Sequence, residues 1–185
     1  MNLPLDIIDT YYPHGTALRD ILLTHSRLVA EKALKAIRRH SLTEVDPQFV
    51  HDAALLHDIG ICRCDAPGIQ CFGTQPYILH GHLGAELLRH EGQLRHLDLE
   101  PYARVCERHT GTGLTRQQIL DQGLPLPPRD FVPVTLEEQL ICWADKFFSK
   151  THPEREKTAE QARHSLEKFG TEGLVKFDEW CARFS

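Results

Sequence analysis

The chain has 185 residues and a net charge of −5, with a pI near 6.2. That leaves room for one domain with a real core and argues against a general nucleic-acid-binding surface. Hydrophobic residues at 41% and charged residues at 25% are a globular balance, and no apolar run approaches the roughly 20 residues of a membrane span. The first twelve residues carry Asp6 and Asp9 and lack the basic start and apolar core of a signal peptide. The six cysteines are therefore expected as reduced thiols in the cytoplasm.

The pattern is helical nearly throughout, with no alternating β-branched runs bounded by hairpin turns. A first helix is expected over about 16–40, where Leu18, Ile21, Leu22, His25, Leu28, Val29 and Ala33 share one face. Asp46-Pro47 starts a second, which carries Val50, Ala53, Ala54 and His57 and stops near Gly60. Residues 61–79 form an irregular stretch long enough to be functional. Its Cys62, Cys64 and Cys71 have poor spacing for a structural zinc site, so it is expected as a lid over a ligand.

A third helix begins near His80. Pro101 opens a fourth, with Tyr102, Val105, Cys106 and His109 in one stripe. Thr115–Gln118 and Thr135–Glu138 spell capping boxes for two more. The second of these helices lines Ile141, Ala144, Asp145 and Phe148 on one side. Proline-rich residues 124–133 form a rigid loop, and helices over about 153–169 and 171–184 close the chain.

His25, His57 with Asp58, His109 and Asp145 lie on the inward faces or inner ends of four different helices, and His80 opens a fifth. An isolated carboxylate on an apolar face costs several kcal/mol unless it is paired or metal-bound. Asp145, inside Ile141-Cys142-Trp143-Ala144-Asp145, is the sharpest case; a salt bridge to Lys146 or an arginine is the other way to satisfy it.

The order His25, His57-Asp58, Asp145 resembles the HD superfamily of metal-dependent phosphohydrolases. So do the local words His25-Ser26-x-x-Val29-Ala30, Leu56-His57-Asp58-Ile59-Gly60 and Ala144-Asp145. His80-Gly81-His82-Leu83-Gly84-Ala85 and Arg108-His109-Thr110-Gly111 resemble elements of its binuclear branch. His80 is preferred over His82 because the family ligand lies four residues before the glycine.

The resemblance implies an all-α, single HD-domain bundle of about seven or eight helices over 1–185. Its core covers about 16–150, with helices of 151–185 packing on it. It assigns His25, His57, Asp58 and Asp145 to one metal and His80 and His109 to a second, with Asp58 shared. It implies one or two divalent ions (iron, manganese, cobalt, nickel or zinc) and attack of metal-activated water on phosphorus.

Asp58, His57 and Lys146 are the expected catalytic residues, and Arg63, Arg108 and Lys146 the expected phosphate contacts; Lys150 and Arg116 also lie near the motifs. The expected partner is a nucleotide-like phosphorylated small molecule. No nucleic-acid polymer and no membrane is expected, and a homodimer is left open. The alternative on the same ligands is a mixed-valent di-iron oxygenase of the HD fold. Two departures stand out: Ile61 occupies the position that many members of this family fill with lysine, and no Gly-Tyr-Pro follows His109, which disfavours the HD-GYP route to cyclic dinucleotides.

Overall fold

The computed structural model describes residues 3–185. Nine α-helices are present among the described residues: α1 (Leu3–Tyr11), α2 (Ala17–His40), α3 (Pro47–Leu56), α4 (His80–Arg95), α5 (Glu100–Arg108), α6 (Arg116–Asp121), α7 (Leu136–Asp145), α8 (Ala159–His164) and α9 (Thr171–Phe184). The only strands among them are two-residue β1 (Asp65–Ala66) and β2 (Cys71–Phe72), an antiparallel pair within the 61–79 stretch. The protein is all-α.

The helix starts follow local chemistry. Thr16 accepts from Arg19 N at the start of α2, and Asp46 accepts from Gln48 N and Phe49 N ahead of Pro47 in α3. The Thr115 box is reciprocal, as expected. The second expected box is not. Thr135 caps Glu138 N, but the Glu138 carboxylate bonds Val134 N at 2.6 Å and Arg108 instead of reaching back to Thr135.

Two further departures matter for function. α1 was not apparent from the sequence; it buries Ile7 and Ile8, and the following Tyr12 donates its hydroxyl to Ile59 O at 2.6 Å. The helix expected over 153–169 is confined to α8 and a 3₁₀ turn, Glu167–Phe169. Thr158 is the real cap there, and the charged run Glu154–Lys157 offers no apolar face to bury. Pro153 also disfavours helical backbone at His152. The chain from Phe147 to Lys157 is instead an open loop closed by Lys157 N donating to Phe147 O at 2.8 Å.

Apolar side chains gather in two clusters. One joins α2, α3, α7 and α9 around Val29, Ile141, Trp143 and Phe177; the other joins α1, α4 and α5 around Ile8, Leu56, Ile59 and Leu88. α3 passes from the first, through Ala53 and Ala54, to the second at Leu56 and Ile59. His57-Asp58 falls between them.

The turn after the dyad is pressed against α4. A Cβ on Gly60 would lie 2.1 Å from His80 O and 2.3 Å from Gly84 N, and one on Gly84 would lie 3.1 Å from Gly60 N. Backbone meets backbone here, so Gly60 cannot carry a side chain without parting the two segments, and one on Gly84 would require its neighbour to give by a few tenths of an ångström. Gly60→Ala is expected to lose more than about 3 kcal/mol of stability in calorimetric melting. Gly68→Ala, whose Cβ meets nothing within 4 Å, should melt like the parent.

Candidate metal centre

Six side chains from five parts of the chain converge at this junction. His25 comes from the middle of α2, and His57 and Asp58 follow the last turn of α3. His80 opens α4, His109 caps α5, and Asp145 ends α7. All six are buried, with His57 and Asp58 at 0% exposure.

The two oxygens of Asp58 face different partners. Oδ2 lies 3.1 Å from His25 Nε2 and 3.0 Å from His57 Nε2. Oδ1 lies 3.6 Å from His80 Nε2 and 3.4 Å from His109 Nε2. Asp145 Oδ1 completes the first group, 3.0 Å from His25 Nε2 and 3.5 Å from His57 Nε2. The ligand atoms of His25, His57, Asp58 and Asp145 lie within 4.8 Å of one another, and so do those of Asp58, His80 and His109. Each group could hold an ion, with Asp58 common to both.

Three of the histidines are oriented by the same device. Nδ1 of His57, His80 and His109 donates to the carbonyl three residues earlier, on Ala54, Tyr77 and Cys106, at 2.6, 2.7 and 2.6 Å. That fixes a proton on Nδ1 and turns each Nε2 into the cluster. His80 Nε2 and His109 Nε2 then face each other at 3.0 Å. Two lone pairs at that distance repel unless a cation or a proton stands between them.

The donor set fits a metal on a second count. His25 Nε2, His57 Nε2 and both Asp58 oxygens are buried without a well-formed hydrogen bond among the described residues. Unsatisfied buried polar atoms are costly, and a divalent ion at these nitrogens and carboxylates satisfies them together. No cysteine belongs to either group. Burial pushes the Cys64 and Cys71 thiols up to about 11 and 12, away from the thiolate form that zinc favours.

Electrostatics within the cluster are strongly coupled. Burial opposes charge on His57, but Asp58 and Asp145 outweigh it and raise its pKa to about 9. Burial and the facing His109 take His80 down to about 3. Burial would raise the Asp58 pKa; Lys150 and His57 reverse that and hold it well below the usual carboxylate range.

The structure sorts the expected phosphate contacts. Lys146 reaches the site but is engaged, its ammonium 2.7 Å from Asp145 Oδ2 and 2.8 Å from His109 O. Arg63 is exposed and lies beside Glu86, Leu87 and His90, outside the cavity that opens on the cluster. Arg108 is held by both oxygens of Glu138 at 2.9 and 3.0 Å. Arg116 is likewise off the cavity.

Lys150 is the cation at the centre, 2.5 Å from Asp58 Oδ2. It lies five residues past Asp145, in the open loop, where no periodicity could signal it. His82 points elsewhere, toward Glu86 at 3.5 Å and the edge of Phe131.

A cavity of about 660 Å³ opens on the cluster at His80, His109 and Asp145. The 61–79 stretch supplies one wall through Ala66, Ile69 and Tyr77, and the loop with the turn after α8 supplies the other through Phe148, Lys157 and Phe169.

The HD domain family model matches residues 22–149. An uncharacterized protein of Methanocaldococcus jannaschii, MJ0778, is 40% identical over 108 residues, 58% of this chain and 53% of its own length. A tRNA (cytidine(56)-2'-O)-methyltransferase of Thermoplasma volcanium is 32% identical over 142 residues, 77% of this chain but 35% of its own. The chain thus spans about half and about a third of these relatives.

Among solved structures, the HD domain of the L. monocytogenes phosphodiesterase PgpH superposes with a TM-score of 0.53 at 15% identity, covering 96% of this chain and 94% of that one. The same domain in complex with cyclic-di-AMP gives 0.53 at 18%, covering 99% and 85%. At these identities the match is one of fold.

Metal uptake at His57 Nε2 must displace the proton that a pKa of about 9 keeps on the ring at neutral pH. Below that pKa the protonated ring competes with the metal, so affinity should strengthen as pH rises. The expected gain is roughly tenfold per unit between about pH 6.5 and 8.5. Titration calorimetry with Mn²⁺ across that range reads the slope, and a flat profile would contradict a proton held there.

Proposed function

The chain belongs to the HD domain family, the superfamily of metal-dependent phosphohydrolases, and from that premise we propose that it hydrolyses a phosphate ester or anhydride of a nucleotide-like small molecule. The observation that carries this is the division of Asp58, one oxygen toward His25 and His57 and the other toward His80 and His109. In this reading His25, His57, Asp58 and Asp145 hold one divalent ion, and His80 and His109 a second with Asp58 between. When bound, such ions supply Lewis acidity and a water of lowered pKa.

The chain's own residues do the rest. The Nδ1–carbonyl bonds hold three imidazoles in the ligating tautomer. Lys146 fixes the Asp145 oxygen that the histidines do not use. Lys150, already at Asp58, is placed to follow a phosphoryl oxygen once other positive charge takes over the carboxylate. The two enclosing segments wall the space in which the phosphorylated substrate would lie.

Phosphorus chemistry is favoured over oxygen chemistry by the cavity lining, which has four lysines (Lys146, Lys150, Lys157 and Lys168) and one carboxylate, Asp145. A nucleotide is supported by the rings of Tyr77, Phe148 and Phe169 on the walls and by a volume suited to a small molecule. The cyclic-di-AMP complex of the fold neighbour leans the same way. Six free cysteines suit a cytoplasmic setting, and no helix among the described residues is long and apolar enough to cross a membrane.

Protein purified without chelator should carry two metal equivalents, falling to one in His80→Ala or His109→Ala. Phosphate release from nucleotides and dinucleoside polyphosphates under Mn²⁺, Co²⁺ or Fe²⁺ should drop by about a thousandfold or more in Asp58→Asn and Asp145→Asn. Oxygen consumption without phosphate release under any metal would overturn the hydrolase in favour of the oxygenase.

A further inference from the structure

Positive charge in the cavity exceeds what the cluster's carboxylates balance. Lys146 is paired with Asp145 and Lys150 with Asp58. Lys157 and Lys168 line the same cavity and have no carboxylate partner among the described residues. Burial lowers the Lys157 pKa; Asp145 counters that, while Lys146, Lys168 and Lys150 reinforce it. An ammonium that is partly desolvated and crowded by like charges gains more than an ordinary surface lysine from an incoming anion.

The backbone that carries each lysine is anchored. Lys157 N closes the loop on Phe147 O, and the neighbouring Glu156 bonds Lys32 of α2 at 2.7 Å. Lys32 lies in turn 3.7 Å over the Phe147 ring. Lys168 precedes Phe169, whose carbonyl accepts from Gln118 Nε2 at 2.9 Å and whose ring packs against Gly111, where a Cβ would sit 3.1 Å away. Both lysines lie beyond residue 149, where the family match ends.

We propose that Lys157 and Lys168 form a second anion subsite, and that the substrate is a diphosphate or bisphosphate, with one phosphoryl group at the metal cluster and another between these lysines. The proposal rests on the hydrolase reading for the position of the first group. The second group needs only the two ammonium groups and the cavity between the walls.

The test uses two probes that the protein cannot hydrolyse, inorganic phosphate and methylenediphosphonate, titrated calorimetrically into metal-loaded protein freed of excess metal. The diphosphonate should bind about tenfold more tightly than phosphate, a difference of roughly 1.4 kcal/mol. Lys157→Gln/Lys168→Gln should lose that advantage while phosphate affinity stays within about twofold. A double variant that keeps the advantage, or that loses both probes in parallel, overturns the subsite. Failure of the hydrolase reading would show separately, as absent phosphate release with the difference between probes intact.

Discussion

A carboxylate buried at 0% exposure is the constraint around which this protein is built. Asp58 must remain ionised to serve as a ligand, yet taking a charge out of water is costly unless opposite charge is at hand. Four imidazoles surround its two oxygens and the Lys150 ammonium sits on one of them. Asp145 solves the same problem with Lys146 and the other face of the first histidine pair. The packing beneath follows from these demands. The dyad can meet His80 only if the turn after it touches α4, and the pair Gly60 and Gly84 permits that approach.

Helix ends supply the orientation. The last turn of a helix leaves carbonyls without an intrahelical partner. His57 and His109 cap α3 and α5 and use such carbonyls, on Ala54 and Cys106, as acceptors for Nδ1–H. His80 does the same with Tyr77 in the 3₁₀ turn ahead of α4. One hydrogen bond thus satisfies a buried carbonyl, fixes a proton on Nδ1 and aims Nε2. His25, mid-helix with its carbonyls already committed, has no such bond at Nδ1; its ring meets the carboxylates of Asp58 and Asp145 through Nε2.

His25, His57, His109 and Asp145 stood out in the sequence because each breaks a stripe of Leu, Val, Ile and Ala; Asp58 and His80 were legible only through the resemblance to the HD words. The capped helices were legible from their first residues, Thr16, Asp46, Thr115 and Thr135. What escaped has no such contrast. α1 is short and carries Asp6 and Asp9 beside the Ile7 and Ile8 that it buries. The helix expected over about 153–169 forms only from Ala159, because the run Glu154–Lys157 before it supplies no face to bury. Arg63 and Arg108 were singled out by adjacency in sequence, which says nothing of direction; one faces solvent and the other is held by Glu138.

Ile61 shows how that loop came to matter. Its side chain is fully buried in the second apolar cluster, so a lysine there would face hydrocarbon rather than substrate. The positive charge next to the dyad arrives instead from Lys150, brought across by a segment that shares no helix with any ligand. The metal-competent atoms therefore all lie within residues 25–145, whereas three of the four cavity lysines lie at or beyond position 150. This separates two kinds of constraint. Five of the six cluster side chains sit at helix ends whose geometry tolerates little change, while Lys150, Lys157 and Lys168 ride on a loop and a short turn that can be rebuilt without moving an imidazole. A change of substrate in this framework would be written first into residues 147–169, and the cluster around Asp58 would stay as it is.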